Sequence, residues 1–250
     1  MDASLNTVLG SPMMPDRTIP LVSKSGEIIR HKSFDQENRS FQITFYCLVF
    51  AVAVTFLVGL SVGIPAERNI LYMESFIAAV AAIIYYLFLQ QNQTTESASK
   101  PHIDWSAIAK LRYLDWAITT PIMLVVLCLV LSLRTKIPLT TGTAVSLVGL
   151  DWLMLIFGYL GEVGVLSKIA ATVLGFLPFL VVFYIIYTTF LTSRSVRGPC
   201  YALFGLYFVI WAAYGVVYLL DEVTKNMIFN GLDAVAKAFV GVALSVAYSV

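Results

Sequence analysis

The sequence predicts an all-α membrane protein built as a bundle of seven transmembrane helices. Of its 250 residues, 59% are hydrophobic and only 12% are charged, whereas about a quarter of the residues in a typical soluble domain are charged. A soluble monomer of this size could not bury so much apolar surface, so the excess must face lipid. Seven apolar segments after residue 40 are long enough to cross a hydrocarbon core of about 30 Å. They lack the alternating pattern of a membrane β-barrel.

The chain divides into a polar N-terminal part and the seven segments. Residues 1–40 contain three prolines and no apolar run long enough for a secretory signal, which predicts a flexible extracellular tail before a domain spanning 41–250. The predicted spans are 41–64, 70–90, 107–133, 141–161, 166–191, 200–220 and 225–248. Each break between them is polar or rich in glycine and proline, from Gly63 and Pro65 to the DEVTK stretch before the last span.

Lysine and arginine in the loops predict an extracellular N-terminus and a cytoplasmic C-terminus. The loops that this orientation places inside carry Arg68, Arg134, Lys136, Arg194 and Arg197.

The net charge of +1 excludes a partner bound by a broad basic surface, such as a nucleic acid. The composition excludes a soluble enzyme, and we expect no enzymatic activity. The three cysteines lie in or beside apolar runs without the spacing of a metal site.

Ionisable residues inside the spans point to the function, because each is costly to place in a membrane. Lys237 lies about 18 Å of helix beyond Lys225, too deep to reach the interface easily. Asp233 precedes it by one turn on the same face. Two interpretations remain: a structural buried ion pair, or a lysine that forms a Schiff base with a carbonyl compound while carboxylates neutralise its charge.

The third span supplies the groups that would complete such a site. In RYLDWAITTP, the side chains of Arg112, Asp115 and Thr119 share one helix face. An acid one turn from a base on an interior face suits a pair that surrounds a charge in a dry cavity. Pro121 should kink the helix, and we expect neighbouring hydroxyl groups to bind the carbonyl that it frees.

These motifs resemble those of the microbial (type I) rhodopsins, which are seven-helix membrane proteins. The resemblance covers residues 41–250 and rests on RYLDWAITTP, DAVAK in the seventh span, LVGLDWLM in the fourth and WAAYGVVY in the sixth. It implies all-trans retinal bound to Lys237 as a protonated Schiff base, with Asp115 and Asp233 as counterions neutralised by Arg112 from the extracellular side. It also implies a homo-oligomer in lipid. The implied retinal pocket consists of Trp116, Thr119, Thr120, Met123, Asp151, Met154, Gly158, Trp211 and Tyr214, with Asp151 hydrogen-bonded to Thr120.

The chain departs from this family at several pocket positions. Gly215 stands where proline is usual, and Tyr218 where many members have tryptophan. The fifth span has Phe176, Leu177 and Pro178 in a region where a pocket tryptophan is common. These departures leave the shape of the chromophore cage, and therefore its colour, open.

The transport mode is predicted from carboxylates near the retinal position. Proton pumps of the family usually carry a carboxylate where this chain has Val126, which disfavours a fast pump. Glu67 and Glu74 share one face of the second span, and with Lys225 and Asn230 they predict a polar trail interrupted at the chromophore, as in a gated pore.

We therefore expect a light-gated cation channel most similar to the rhodopsins of algal viruses and protists, although Asn230 and the GEVG turn are also proteorhodopsin-like. A slow outward proton pump and a photosensory receptor remain alternatives. Glu67 and Lys225 could equally be solvated residues at helix ends, and Glu74 a carboxyl bonded to a neighbour.

Overall fold

Seven helices form the protein in the computed structural model, which describes residues 24–96, 103–192 and 198–249 and gives side chains for 35–92 within the first range. The helices are α1 (Lys24–Ser61), α2 (Pro65–Glu96), α3 (Trp105–Thr135), α4 (Thr141–Glu162), α5 (Lys168–Leu191), α6 (Gly198–Val217) and α7 (Glu222–Tyr248). Each contains a stretch long and apolar enough to cross a membrane. The chain is therefore an integral multi-pass membrane protein, and the predicted fold class is confirmed.

The first helix begins earlier than the sequence suggested. We placed its start at residue 41, whereas α1 begins at Lys24. Residues 27–40 lack proline and glycine, so a polar helix can continue beyond the apolar stretch at little conformational cost. Of the predicted tail, residues 1–23 lie outside the described part of the chain.

Polar residues in the predicted breaks, or at the very start of a predicted span, begin four of the helices. The N-caps are Asp104 for α3, Thr140 for α4, Ser167 for α5 and Asp221 for α7. Each side chain accepts a hydrogen bond from a backbone N–H that has no partner inside the helix. Hydrogen bonds from the backbone N–H and from the side-chain hydroxyl of Thr224 hold the pKa of Asp221 below its usual value.

Helices α3 and α7 each depart from regular geometry beside a predicted site residue. Ala234–Phe239, which contains Lys237, forms a wider π-helical turn within α7, as is common at functional sites. In α3, Pro121 frees the carbonyl of Ala117, and the indole N–H of Trp152 donates to it at 3.0 Å. Our expectation of a hydroxyl partner was wrong, because the ring of Trp152 on the adjacent α4 reaches this carbonyl from the side.

The bundle packs around two different interiors. A polar interior lies among α1, α2, α3 and α7, where Arg112, Asp115, Asp233 and Lys237 are all at most 2% exposed. An apolar core, which includes Val126, extends over α2, α3, α5, α6 and α7. Many large apolar side chains remain on the outer surface, as expected for helices in contact with lipid.

Candidate functional site

Lys237 lies at the centre of the polar interior. Its Nζ makes a direct charge-assisted contact with Oδ2 of Asp115 on α3 and lies 3.3 Å from Oδ1 of Asp233, one turn earlier on α7. With Arg112 nearby, two buried cations face two buried carboxylates, so the net charge is zero. Charges so deeply buried are tolerable only when paired in this way.

Arg112 binds only one of the two acids. Its Nη1 donates to Oδ2 of Asp233 at 3.0 Å, and its Nη2 donates to the amide oxygen of Asn230 at 2.8 Å. No hydrogen bond joins it to Asp115 among the described residues. The family resemblance implied that Arg112 neutralises both acids. In the structure, Arg112 pairs with Asp233, whereas Asp115 pairs with Lys237.

Two tyrosines complete the hydrogen bonding of Asp233. Tyr85 on α2 donates to Oδ2 at 2.7 Å, and Tyr214 on α6 donates to Oδ1 at 2.7 Å. The sequence analysis missed Tyr85. It lies about three turns beyond Glu74 on the same face of α2, and that spacing could have identified it as an interior residue.

Asn230 closes this network on the side remote from Lys237. Its Nδ2 donates to Ser40 of α1 at 3.0 Å, and its backbone carbonyl accepts a hydrogen bond from Thr44 at 3.1 Å. We call the connected set the Arg112 cluster. Its members are Tyr85, Arg112, Asp115, Tyr214, Asn230, Asp233 and Lys237.

Lys225 belongs to a different group of charges. Its Nζ pairs with Glu162 at 2.7 Å and with Glu222 at 2.8 Å, and Glu222 also pairs with Lys168 at 2.9 Å. Both lysine ammonium groups lie within 6 Å of the centre of the Tyr218 ring. Of the two residues predicted to extend the polar trail, Asn230 therefore joins the Arg112 cluster. Lys225 instead joins the ends of α4, α5 and α7.

Glu74 lies on the other side of Lys237. It is 1% exposed, and its Oε1 has no hydrogen-bond partner within the described residues. A Cβ placed on Gly241, one turn beyond Lys237, would lie 3.4 Å from Oε2 of Glu74 and 3.0 Å from Cγ2 of Thr55. Glu74 is therefore wedged among α1, α2 and α7. Glu67 is half-buried and lies two turns nearer the N-terminal end of α2.

An apolar cavity of about 110 Å³ opens beside Lys237. Seven of the predicted pocket residues line it, namely Trp116, Thr120, Met123, Met154, Gly158, Trp211 and Tyr214, together with Asp233 and Lys237. Further walls come from Tyr113, Phe176, Phe179, Gly215, Tyr218 and Phe229. Isolated aromatic residues within apolar helices look alike in sequence, so Tyr113, Phe179 and Phe229 carried no signal that distinguished them.

Two predicted pocket residues stand behind the cavity wall. Asp151 accepts a hydrogen bond from Thr120 at 2.7 Å, as expected, and is fully buried. Thr119 donates to the backbone carbonyl of Asp115 at 2.8 Å. Both residues support α3 and do not line the cavity.

This arrangement suits the retinal that the sequence resemblance implies. Aromatic, methionine and glycine walls match an apolar polyene, and Lys237 presents an amine to the cavity. Oδ1 of Asp115 is buried and has no hydrogen-bond partner within residues 24–96, 103–192 and 198–249, which leaves acceptor capacity beside the attachment point. The described residues contain no group of three or more His, Cys, Asp or Glu side chains that could hold a metal ion.

Comparisons with known proteins agree with this geometry. Residues 36–248 match the family model described as bacteriorhodopsin-like protein. The chain is 29% identical to archaerhodopsin-3 of Halorubrum sodomense over 130 residues, which cover 49% of this chain and 48% of that protein. It is 26% identical to bacteriorhodopsin of Halobacterium salinarum over 207 residues, 74% of each chain. The chain thus spans about half the length of the archaerhodopsins that it matches.

A solved structure extends the likeness to most of the chain. The crystal structure of the viral rhodopsin OLPVRII is 35% identical in sequence and superposes with a TM-score of 0.77, covering 85% of this chain and 97% of that one. Xanthorhodopsin, at 19% identity and a TM-score of 0.71, shares the fold. The chain therefore belongs to the bacteriorhodopsin-like family of microbial rhodopsins, whose members bind retinal.

Proposed function

We propose that this protein transports ions in response to light, and that within this class it is a light-gated cation channel. Glu74 is the observation that carries the channel assignment. It is a buried carboxyl with one oxygen that has no hydrogen-bond partner in the described part of the chain, and it lies between α1, α2 and α7 on the side of Lys237 opposite Arg112 and Asp233. Intramembrane carboxyls of this kind commonly mark ion pathways.

Retinal would be held by a covalent bond to the amine of Lys237, with Trp116, Trp211 and Tyr214 among the walls around it. When bound, retinal supplies absorption of visible light and a change of shape by isomerisation, starting from the all-trans form. The chain supplies the electrostatics. Asp115 and Asp233 stabilise a positive charge at Nζ of Lys237, and Asp115 in direct contact can accept its proton.

The channel path would use the polar groups on both sides of Lys237. We propose that the N-terminus is outside, because the loop charges favour it, so that the Arg112 cluster faces outward and Glu74 and Glu67 face the cytoplasm. In the present structure both sides are closed, the first by ion pairs and the second by apolar packing. Movement of α7 around its π-helical turn would loosen both, since Asp233 and Gly241 lie on either side of Lys237 on that helix.

A slow outward proton pump is the second candidate, and the direct contact between Lys237 and Asp115 favours it. That contact gives a proton leaving Nζ an acceptor on the outward side. Val126, at the usual donor position, is buried and apolar, so the return of a proton would depend on water entering from the cytoplasmic side.

The current–voltage relation under illumination separates these functions. Cells that express the chain with retinal are voltage-clamped, and the light-induced current is recorded at a series of potentials with different cations outside. A channel gives a current that reverses at a potential set by the cation gradient. A current of constant direction would identify a pump, and a visible photocycle without current would indicate a photosensory receptor.

A further inference from the structure

Three aromatic side chains in the wall of the retinal cavity occupy space that a side chain on a neighbouring helix would need. A Cβ placed on Gly215 would lie 2.6 Å from Cε2 and 2.8 Å from Cζ of Phe176. A Cβ on Gly158 would lie 2.6 Å from Oη of Tyr113. A Cβ on Gly161 would meet the hydroxyl of Tyr218 and Cβ of Ala171. Each of these three aromatic side chains therefore packs directly against a glycine on a neighbouring helix.

The contact between Phe176 and Gly215 involves a ring that other aromatic side chains hold in place. The ring of Phe176 packs edge-on against Phe179, with centroids 5.4 Å apart. Phe179 in turn packs against Phe183 and Phe208, at centroid distances of 4.9 and 5.2 Å. This aromatic row prevents Phe176 from moving away along α5. A side chain at position 215 would therefore push the ring toward the cavity.

We propose that Gly215 determines the specificity of the cavity for its chromophore. Because position 215 has no side chain, the ring of Phe176 rests against the backbone of α6, which leaves the cavity open for the chromophore. The inference rests on the proposed binding of retinal at Lys237. It goes beyond it by naming the pair of residues that sets how large a chromophore the cavity accepts.

The size of the effect follows from the distances. Carbon atoms in ordinary contact are about 3.5–4.0 Å apart, so an alanine at 215 would require the Phe176 ring to shift by about 1 Å. In a cavity of about 110 Å³, such a shift removes space next to the chromophore. Overpacking of this degree corresponds to about a tenfold loss of binding.

The test measures the rate and extent of pigment formation when all-trans retinal is added to the retinal-free protein. Gly215→Ala should form pigment about tenfold more slowly than the wild type. Gly205→Ala is the matched control, since it lies on the same helix with open space around its Cβ position, and it should bind at the wild-type rate. In Phe176→Leu/Gly215→Ala the shorter side chain removes the clash, so the rate should return to that of Phe176→Leu alone.

Two results would overturn the proposal: pigment formation by Gly215→Ala at the wild-type rate, or a double variant as slow as Gly215→Ala. Thermal unfolding of each retinal-free variant shows whether it folds. If Gly215→Ala does not fold, Phe176→Leu is tested alone with a retinal analogue bearing a bulkier end ring. It should bind that analogue faster than the wild type does, and equal rates would refute the role of Phe176. Failure of the wild type to form any pigment would instead refute the proposed function.

Discussion

The two sides of Lys237 are closed in different ways. On the side of the Arg112 cluster, carboxylates, guanidinium, tyrosine and amide groups join α1, α2, α3, α6 and α7 in one hydrogen-bonded network. On the side of Glu74, a buried carboxyl lies between α1, α2 and α7, close to Gly241 and Thr55, and one of its oxygens has no hydrogen-bond partner among the described residues. The first closure is electrostatic and the second is steric and apolar.

This difference indicates how light could open each side. In the Arg112 cluster, transfer of a proton from Lys237 to Asp115 neutralises both groups and leaves Asp233 paired with Arg112 alone, so the network must rearrange. Beside Glu74 no compensating cation is in contact among the described residues, and opening requires water or an ion to enter between α1, α2 and α7. The first side should therefore be sensitive to charge, and the second to the size and polarity of one side chain.

The largest expected effect is on stability, from Arg112→Gln. This substitution leaves the buried Asp233 without its guanidinium partner, and breaking a buried pair costs about 3–5 kcal/mol. Thermal or denaturant unfolding of the pigment in detergent measures it. Arg112→Lys keeps the positive charge and should lose less; a loss below about 1 kcal/mol for Arg112→Gln would mean that the cluster is not an electrostatic closure.

The next effect distinguishes the two acids by colour. Asp115 contacts Lys237 directly, whereas Asp233 shares its charge with Arg112 and two tyrosines. Asp115→Asn should therefore shift the visible absorbance maximum to longer wavelength by more than Asp233→Asn does. The reason is that the charge of Asp115 acts mainly on Lys237, whereas the charge of Asp233 is partly balanced by Arg112 and the two tyrosines. Absorbance spectra at neutral pH measure both shifts. A larger shift for Asp233→Asn would reverse the assignment of the principal counterion.

Glu74→Gln tests the other side. Once opening admits water, Glu74 can ionise and attract a cation within about 4 Å, which glutamine cannot do, so the light-induced current should fall about tenfold or more. The absorbance maximum should stay close to that of the wild type. Glu67→Gln, on the same face of α2 but half-buried, is the matched control and should have the smaller effect. Equal currents in Glu74→Gln and the wild type would make Glu74 a structural residue.

The smallest effect is expected at the kink of α3. Trp152→Phe removes the N–H that binds the carbonyl of Ala117, and a lost hydrogen bond of this kind costs about 1 kcal/mol. Unfolding measurements should show this loss. Trp105→Phe, at the first residue of α3, is the control and should be nearly neutral. Equal losses in the two variants would show that the hydrogen bond from Trp152 adds no stability beyond that of an indole ring in general.

The sequence was sufficient for the fold and for the charges around Lys237, because buried ions in apolar spans are rare enough to stand out. Asp115 and Asp233 could be placed near Lys237 from helical spacing and family resemblance. Tyr85 could not be separated from Tyr86 by residue type alone, and only its spacing of about three turns from Glu74 indicated which of the two rings faces the interior.

Other features depended on distances between helices, which the sequence does not encode locally. Glu162 and Lys225 are 63 residues apart in sequence and meet only because the ends of α4 and α7 lie together. The packing of Phe176 against Gly215 likewise depends on how closely α5 approaches α6. The early start of α1 was missed because apolar patterning locates a membrane span and not the polar helix that continues beyond it.

The visible absorbance of purified protein supplied with all-trans retinal tests the central claim most directly. The account predicts a visible absorption band in the wild type and in Lys110→Ala, which changes an exposed lysine on α3, and no such band in Lys237→Ala. A band of unchanged position and height in Lys237→Ala would contradict the assignment of Lys237 as the residue to which retinal is attached.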